Sequence, residues 1–112
     1  MQRERGEEKM HIMQVSTHRP ESCPLFNEEN AKKAAGVMKA MEPVLTKHGI
    51  KLVGIWEDRG IHTGWAVYDT PSLDDFWACL QEPDLAPWVS FNSVENHMVD
   101  DWEEIKAMMM RH

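Results

Sequence analysis

A chain of 112 residues has the length of one ordinary domain, and a hydrophobic fraction of 42% is a globular composition. The formal charge of −7 at pH 7 repels phosphate backbones and anionic lipid, which argues against nucleic acid or a membrane surface as partner. No apolar run approaches the roughly 20 residues of a membrane span, and Cys23 and Cys79 are too few for a disulfide framework.

No charged-then-apolar leader is read at the start, so the expected location is the cytoplasm. Residues 1–9, MQRERGEEK, are charged and without apolar periodicity, and read as a frayed extension before a single domain over 10–112. His11 to His18 alternates and is bounded by Arg-Pro, a strand pattern. Asn27 is an N-cap, with Glu28 and Glu29 suited to the positive end of a helix. Ala31, Ala34, Ala35, Met38, Met41 and Leu45 recur at helical spacing up to His48, and Gly49 suits the C′ position. Pro43 inside this run is expected to kink or split the helix. His48 reads as a favourable charge at the helix end rather than a ligand.

Lys51 to Glu57 is a second strand, Asp58-Arg59-Gly60 a hairpin turn, and Ile61 to Asp69 a third strand. Ser72 caps a second helix, with Asp75 completing a weak capping box; Leu73, Phe76, Trp77 and Leu80 form its expected buried stripe, and Pro83 stops it. One or two helical turns follow over 84–91. Ser93 to Val99 is a fourth strand, and Asp100 starts a terminal helix with Trp102, Ile105, Met108 and Met109 on one side. The order β-α-β-β-α-β is ferredoxin-like: an α+β fold with a four-stranded antiparallel sheet, helices on one face and a C-terminal helix.

The segment from Leu52 to Phe91 carries an aromatic-bearing strand ending at Trp56 and a tight polar turn. Strand Gly64 to Tyr68, a Ser-Leu-Asp-Asp helix start and Trp88 follow. In this it resembles the small uncharacterised branches of the dimeric α/β-barrel superfamily. The resemblance implies a homodimer whose sheets pack face to face. It also implies an organic-ligand pocket between sheet and helices, for which Trp56, Trp77 and Trp88 are candidates. Members include cofactor-independent oxygenases, isomerases, haem-degrading enzymes and proteins with no known reaction, so the likeness selects no chemistry and no cofactor.

Strand alternation places Met13, Val15 and Thr17 opposite Gln14, Ser16 and His18, and Ile61, Thr63, Trp65 and Val67 opposite His62, Gly64, Ala66 and Tyr68. The more apolar set is expected on the helices, leaving a polar set for the partner sheet. With the first and third strands taken as parallel, His18 is expected near Tyr68 and Glu95, and His62 near His97 at the other end. His18, Tyr68 and Glu95 are therefore the catalytic candidates for a small-molecule oxygenation or isomerisation. Trp56, Trp88, His62 and His97 are the pocket candidates.

The loop "THRPESCP" places His18, Glu21 and Cys23 within six residues. These form an alternative metal set, or a Cys23 nucleophile with His18 as base; a stiff connector between two prolines accounts for the same loop. A non-catalytic dimeric binding protein, with these groups satisfying one another, is the remaining reading. The acidic run from Asp100 to Glu104 lacks Ca²⁺-loop spacing and reads as a first helical turn.

Overall fold

The structure is a computed structural model and describes residues 9–111. The expected N-terminal extension lies outside them apart from Lys9. Strand β1 (Met10–Thr17) leads through a 3₁₀ turn (Pro20–Ser22) into helix α1 (Glu28–Lys47). Strands β2 (Lys51–Asp58) and β3 (Thr63–Thr70) form a hairpin, followed by α2 (Leu73–Leu80), a 3₁₀ turn (Pro83–Leu85) and α3 (Ala86–Val89). Strand β4 (Ser93–Val99) and helix α4 (Trp102–Met110) complete the chain. The sheet order is β2-β3-β1-β4, and every pairing is antiparallel. This is the expected ferredoxin-like α+β fold. Among the described residues, no helix is long and apolar enough to cross a membrane.

Local chemistry sets the helix limits. The Asn27 side chain accepts from the Asn30 amide at 3.0 Å, and its own Nδ2 donates to the Glu21 carbonyl at 3.2 Å, tying the preceding loop to the helix start. At the far end Gly49 takes φ 72°. Its amide donates to the Thr46 carbonyl at 3.0 Å, and the Ile50 amide to the Leu45 carbonyl at 2.9 Å. These two bonds are a Schellman closure, and they bring Ile50 and Leu45 together in the core. Pro43 does not split α1, which runs unbroken over 20 residues. Its ring is exposed, as is Lys39 four residues earlier, so the carbonyl that loses its partner stays near water. Ser72 caps α2 and donates to the Asp75 carboxylate at 2.7 Å. Helix α4 begins one residue later than the sequence suggests, with Asp101 as cap, and none of its residues is buried.

The first helix returns the chain to the end where β1 began, so β2 runs the same way as β1. The tight hairpin then reverses β3, which enters between them antiparallel to both. The parallel β1–β3 pairing expected from sequence is therefore corrected. The register sets Thr17 against Thr63 and Ile12 against Tyr68.

The faces of β1 and β3 are also the reverse of expectation. Ile12, Ala66 and Tyr68 pack with Val44, Leu45, Ile50, Phe76 and Cys79 in the core under the helices. Met13, Val15, Trp65 and Val67, the more apolar set, alternate onto the open face. Both faces of these strands carry apolar side chains, so an apolar count does not choose between them. On β4, Val94 and Met98 are on the helix side as their apolar character suggests, beside Ser16 and Ile12, and on β2 Ile55 and Trp56 are likewise on the helix side and the open face. A bulge at Val53, between Leu52 and Gly54, turns Ile55 toward the helix side and Trp56 outward against Trp65. Trp56 lies back over Gly54, where a Cβ would meet its ring at 2.6 Å.

The expected stripe of α2 is corrected as well. Phe76 and Cys79 are buried, whereas Trp77 is 48% exposed and Leu73 lies at the surface. The tie between helix ends comes instead from Glu82. Its carboxylate accepts from His48 Nε2 at 2.6 Å and pairs with Lys47 Nζ at 3.0 Å. These two hydrogen bonds hold it below the usual carboxylate range.

Because Asn27 both caps α1 and anchors the loop before it, Asn27→Ala is expected to cost about 1 kcal/mol or more. The urea unfolding midpoint measures this, and an unchanged midpoint would show that the cap contributes nothing.

Candidate functional site

Two concavities open on the helix side of the sheet. One, of about 450 Å³, lies between the sheet and α1, α2 and α3. Its walls are mainly apolar, from Val37, Met38, Met41, Phe76, Leu80 and Leu85. Its floor is polar because the pleat puts alternate residues of three strands on this side. Gln14 Nε2 donates to Asn96 Oδ1 at 2.9 Å across β1 and β4. The Tyr68 hydroxyl lies 3.5 Å from Gln14 Oε1, too long for a strong O–H···O bond and so available to a ligand. Among the described residues, Glu57 is the only carboxylate in the lining, and it lines the second concavity as well. It reaches over Gly64, where a Cβ would meet its Oε1 at 2.7 Å.

Burial, then the negative charge of a Cys79 thiolate, pushes the Tyr68 phenol up to about 12. Burial, then Glu82, pushes the Cys79 thiol up to about 11. At neutral pH Tyr68 is a hydrogen-bond donor and not a base, and Cys79 is a neutral core thiol and not a nucleophile.

The second concavity is a wider depression at the end of the sheet, separated from the first by the Trp88 indole, which donates to Ser16 Oγ at 2.9 Å. Trp88 lines both. Here the antiparallel register sets the end of β1 beside the start of β3, and the His18 amide donates to the His62 carbonyl at 3.1 Å. The two imidazole centroids are 5.2 Å apart. Cys23, 4% exposed, closes the group after the 3₁₀ turn. A ring nitrogen of each histidine and the Cys23 sulfur all lie within 4.8 Å of one another.

The structure therefore redistributes the residues expected from sequence. Tyr68 pairs with Ile12, six positions from His18 along β1 and so about 20 Å away. Glu95 pairs with Val15 on the open face. His18, Tyr68 and Glu95 do not form one group. His62 lies beside His18 and not beside His97, correcting the opposite-end placement. His97 and Glu95 do meet, at 3.3 Å, but both are exposed on the open face, and His97 is outside the cavity. Trp56, 57% exposed, is on that face too, and Trp77 is outside both linings. Trp88 alone of the three tryptophan candidates is at a cavity. Glu21 is exposed and lies 3.8 Å from the Arg19 guanidinium, apart from the His18–Cys23–His62 group.

Sequence reading missed Gln14, Asn96, Asn92 and Glu57. The available signal was polar residues at strand positions that share a face with core residues, but using it requires the correct pairing.

The raised values of Tyr68 and Cys79 carry a sign. A folded-state value above the ordinary one gives stability that is complete below the ordinary value and drains as pH climbs through the folded one. For Cys79 that window runs from 9.0 to about 11, and for Tyr68 from 10.0 to about 12. Tyr68→Phe keeps the ring and removes one titrating group. Its denaturation midpoint is expected to fall less than the wild type's between pH 10 and 12, and parallel curves would refute the burial of the phenol.

Among solved structures, the fold is similar to that of a structural-genomics protein of unknown function from Rhodopseudomonas palustris. The two are 14% identical with a TM-score of 0.54, over 84% of this chain and 85% of that one. A variant of SnoaB, a cofactor-independent oxygenase from Streptomyces nogalater, aligns at 16% identity and a TM-score of 0.45, over 83% of this chain and 92% of that one. No curated protein matches the sequence. A family model matches residues 11–112, which takes in every strand and helix of the fold, and the chain accordingly belongs to the family described as a domain of unknown function, DUF3303.

Proposed function

We propose that this protein is a homodimer that binds a small, largely apolar organic molecule in the cavity between sheet and helices. The observation that carries this reading is the cavity itself. It has about 450 Å³ of space with apolar walls and a polar floor of Gln14, Tyr68 and Asn96. That combination of volume, apolar lining and a few convergent polar groups is what small-molecule sites are made of. Tyr68, held protonated, donates to a ligand oxygen. Glu57, on the edge strand, is the carboxylate placed to accept a proton from a bound carbon acid, the opening step of cofactor-independent isomerisation or oxygenation. These two take the roles that the sequence gave to His18, Tyr68 and Glu95.

The dimer rests on the open face. Met13, Val15, Trp65 and Val67 alternate onto the sheet face opposite the core, with Trp56 beside them. Apolar residues on a sheet face need a covering layer, and a second copy of the same sheet supplies one by a two-fold axis. The His97–Glu95 pair sits on the same face and becomes an interface contact under this reading.

Two measurements test these claims. Titration with 1-anilinonaphthalene-8-sulfonate as probe is expected to saturate at one site per chain. Ala34→Phe, which fills the cavity from α1, is expected to weaken it at least tenfold with the thermal midpoint retained. Equal binding by both proteins would place the probe elsewhere and sink the pocket reading. Sedimentation equilibrium is expected to give twice the 13.0 kDa chain mass, falling to one chain for Val15→Glu. A monomeric wild type would end the dimer reading while leaving the pocket untouched.

A further inference from the structure

We propose that His18, Cys23 and His62 form a site for a borderline-soft divalent transition metal, with zinc the best fit, at the end of the sheet and outside the organic-ligand cavity. Three independent features of the structure converge on this. The donor atoms lie within 4.8 Å of one another. A tetrahedral zinc with sulfur at about 2.3 Å and nitrogen at about 2.0 Å needs donors about 3.3–3.7 Å apart, about 1 Å closer than the widest spacing here.

The second feature is an unused lone pair. His18 Nδ1 lies 3.2 Å from Asn92 Oδ1. Asn92 is itself buried, and its Nδ2 donates to the Trp88 carbonyl at 3.1 Å. That second bond fixes which end of the amide faces the histidine. The oxygen is an acceptor, so His18 carries its proton on Nδ1 and presents a bare Nε2. That Nε2 is buried and has no hydrogen-bond partner. Buried polar atoms are almost always paired, and a ring nitrogen held free by an outer acceptor on the opposite nitrogen is the arrangement of a metal-ligating histidine.

The third feature is backbone strain. His62 takes φ 55°, the only positive value at a non-glycine among the described residues. A left-handed backbone at a residue with a Cβ persists when its surroundings impose it, and such residues collect at functional sites. Here the His62 carbonyl is held by the His18 amide, and its ring lies 5.2 Å from the His18 ring.

Two histidines and a cysteine are a donor set for zinc or copper and a poor one for Mg²⁺ or Ca²⁺. Three protein donors leave a fourth position for water or an exogenous ligand, the pattern of a reactive rather than a purely structural centre, and all three residues line the same depression as Phe26 and Arg59. Glu21, the acidic member of the set suggested by sequence, has no part in it.

The test is a Co²⁺ titration of the full chain without an affinity tag, followed by absorption, with Zn²⁺ as competitor. One equivalent per chain is expected to give a thiolate-to-cobalt charge-transfer band, abolished by one equivalent of Zn²⁺ and by Cys23→Ser. His62→Asn removes the ligand but suits the left-handed backbone, so it keeps the fold, and affinity is expected to drop at least tenfold. Asn92→Ala, which frees the positioning bond on His18, is expected to weaken binding 10–100-fold. Glu21→Gln is expected to bind as the wild type does. Absence of the band, its survival in Cys23→Ser, or unchanged affinity in His62→Asn would each overturn the assignment.

Discussion

The antiparallel pairing of β1 with β3 is the constraint on which both concavities depend. These two strands form the centre of the sheet, and their register places Gln14, Ser16 and Tyr68 under the helices and His18 beside His62. Because Ile12 faces Tyr68 and Thr17 faces Thr63, the phenol is carried to one end of the sheet and the two histidines to the other. Had the strands been parallel, His18 would have approached Tyr68 and the metal-type cluster would not exist. A register slip of one residue would send Gln14 and Ser16 to the open face and leave the cavity without its polar floor.

The helix-facing side of this sheet is unusual in carrying polar residues at adjacent positions on β1. Gln14 and Ser16 would each cost free energy if buried without partners. The structure resolves this locally: Gln14 is matched by Asn96 from β4, and Ser16 by the Trp88 indole from α3. These pairings keep a cavity open where a fully apolar strand would have drawn the helices closer. The Ser16–Trp88 bond also forms the partition between the apolar-walled cavity and the histidine–cysteine depression, so one polar contact both closes the end of one space and walls the other.

The two spaces differ in their chemistry. Around Tyr68 and Cys79, burial favours the neutral forms of both groups, which suits hydrogen bonding to an uncharged ligand. Around His18, the outer hydrogen bond to Asn92 occupies Nδ1, and Nε2 is buried without a hydrogen-bond partner. The two spaces adjoin, sharing Ser16, Glu57 and Trp88 in their walls, while Tyr68 and His18 lie toward opposite ends of β1.

The sequence by itself determined the elements. Capping residues at Asn27 and Ser72, the Gly49 terminus, a hairpin turn and the order of periodic segments were enough for the ferredoxin-like fold, because these signals are local and act within a few residues; the turn itself falls on Arg59–His62, with Asp58 in β2 and β3 starting at Thr63 rather than Ile61. Trp88 at a cavity and Cys23 near His18 were also legible, the first from its place in an irregular stretch and the second from chain proximity. Tertiary structure alone decided which way β3 runs against β1, which face of each strand meets the helices, and that His62 rather than Glu21 joins His18 and Cys23. The physical reason is that direction and face are set by how α1 returns the chain and by side chains many residues apart competing for the same core. A strand with apolar residues on both sides holds no local record of which side wins.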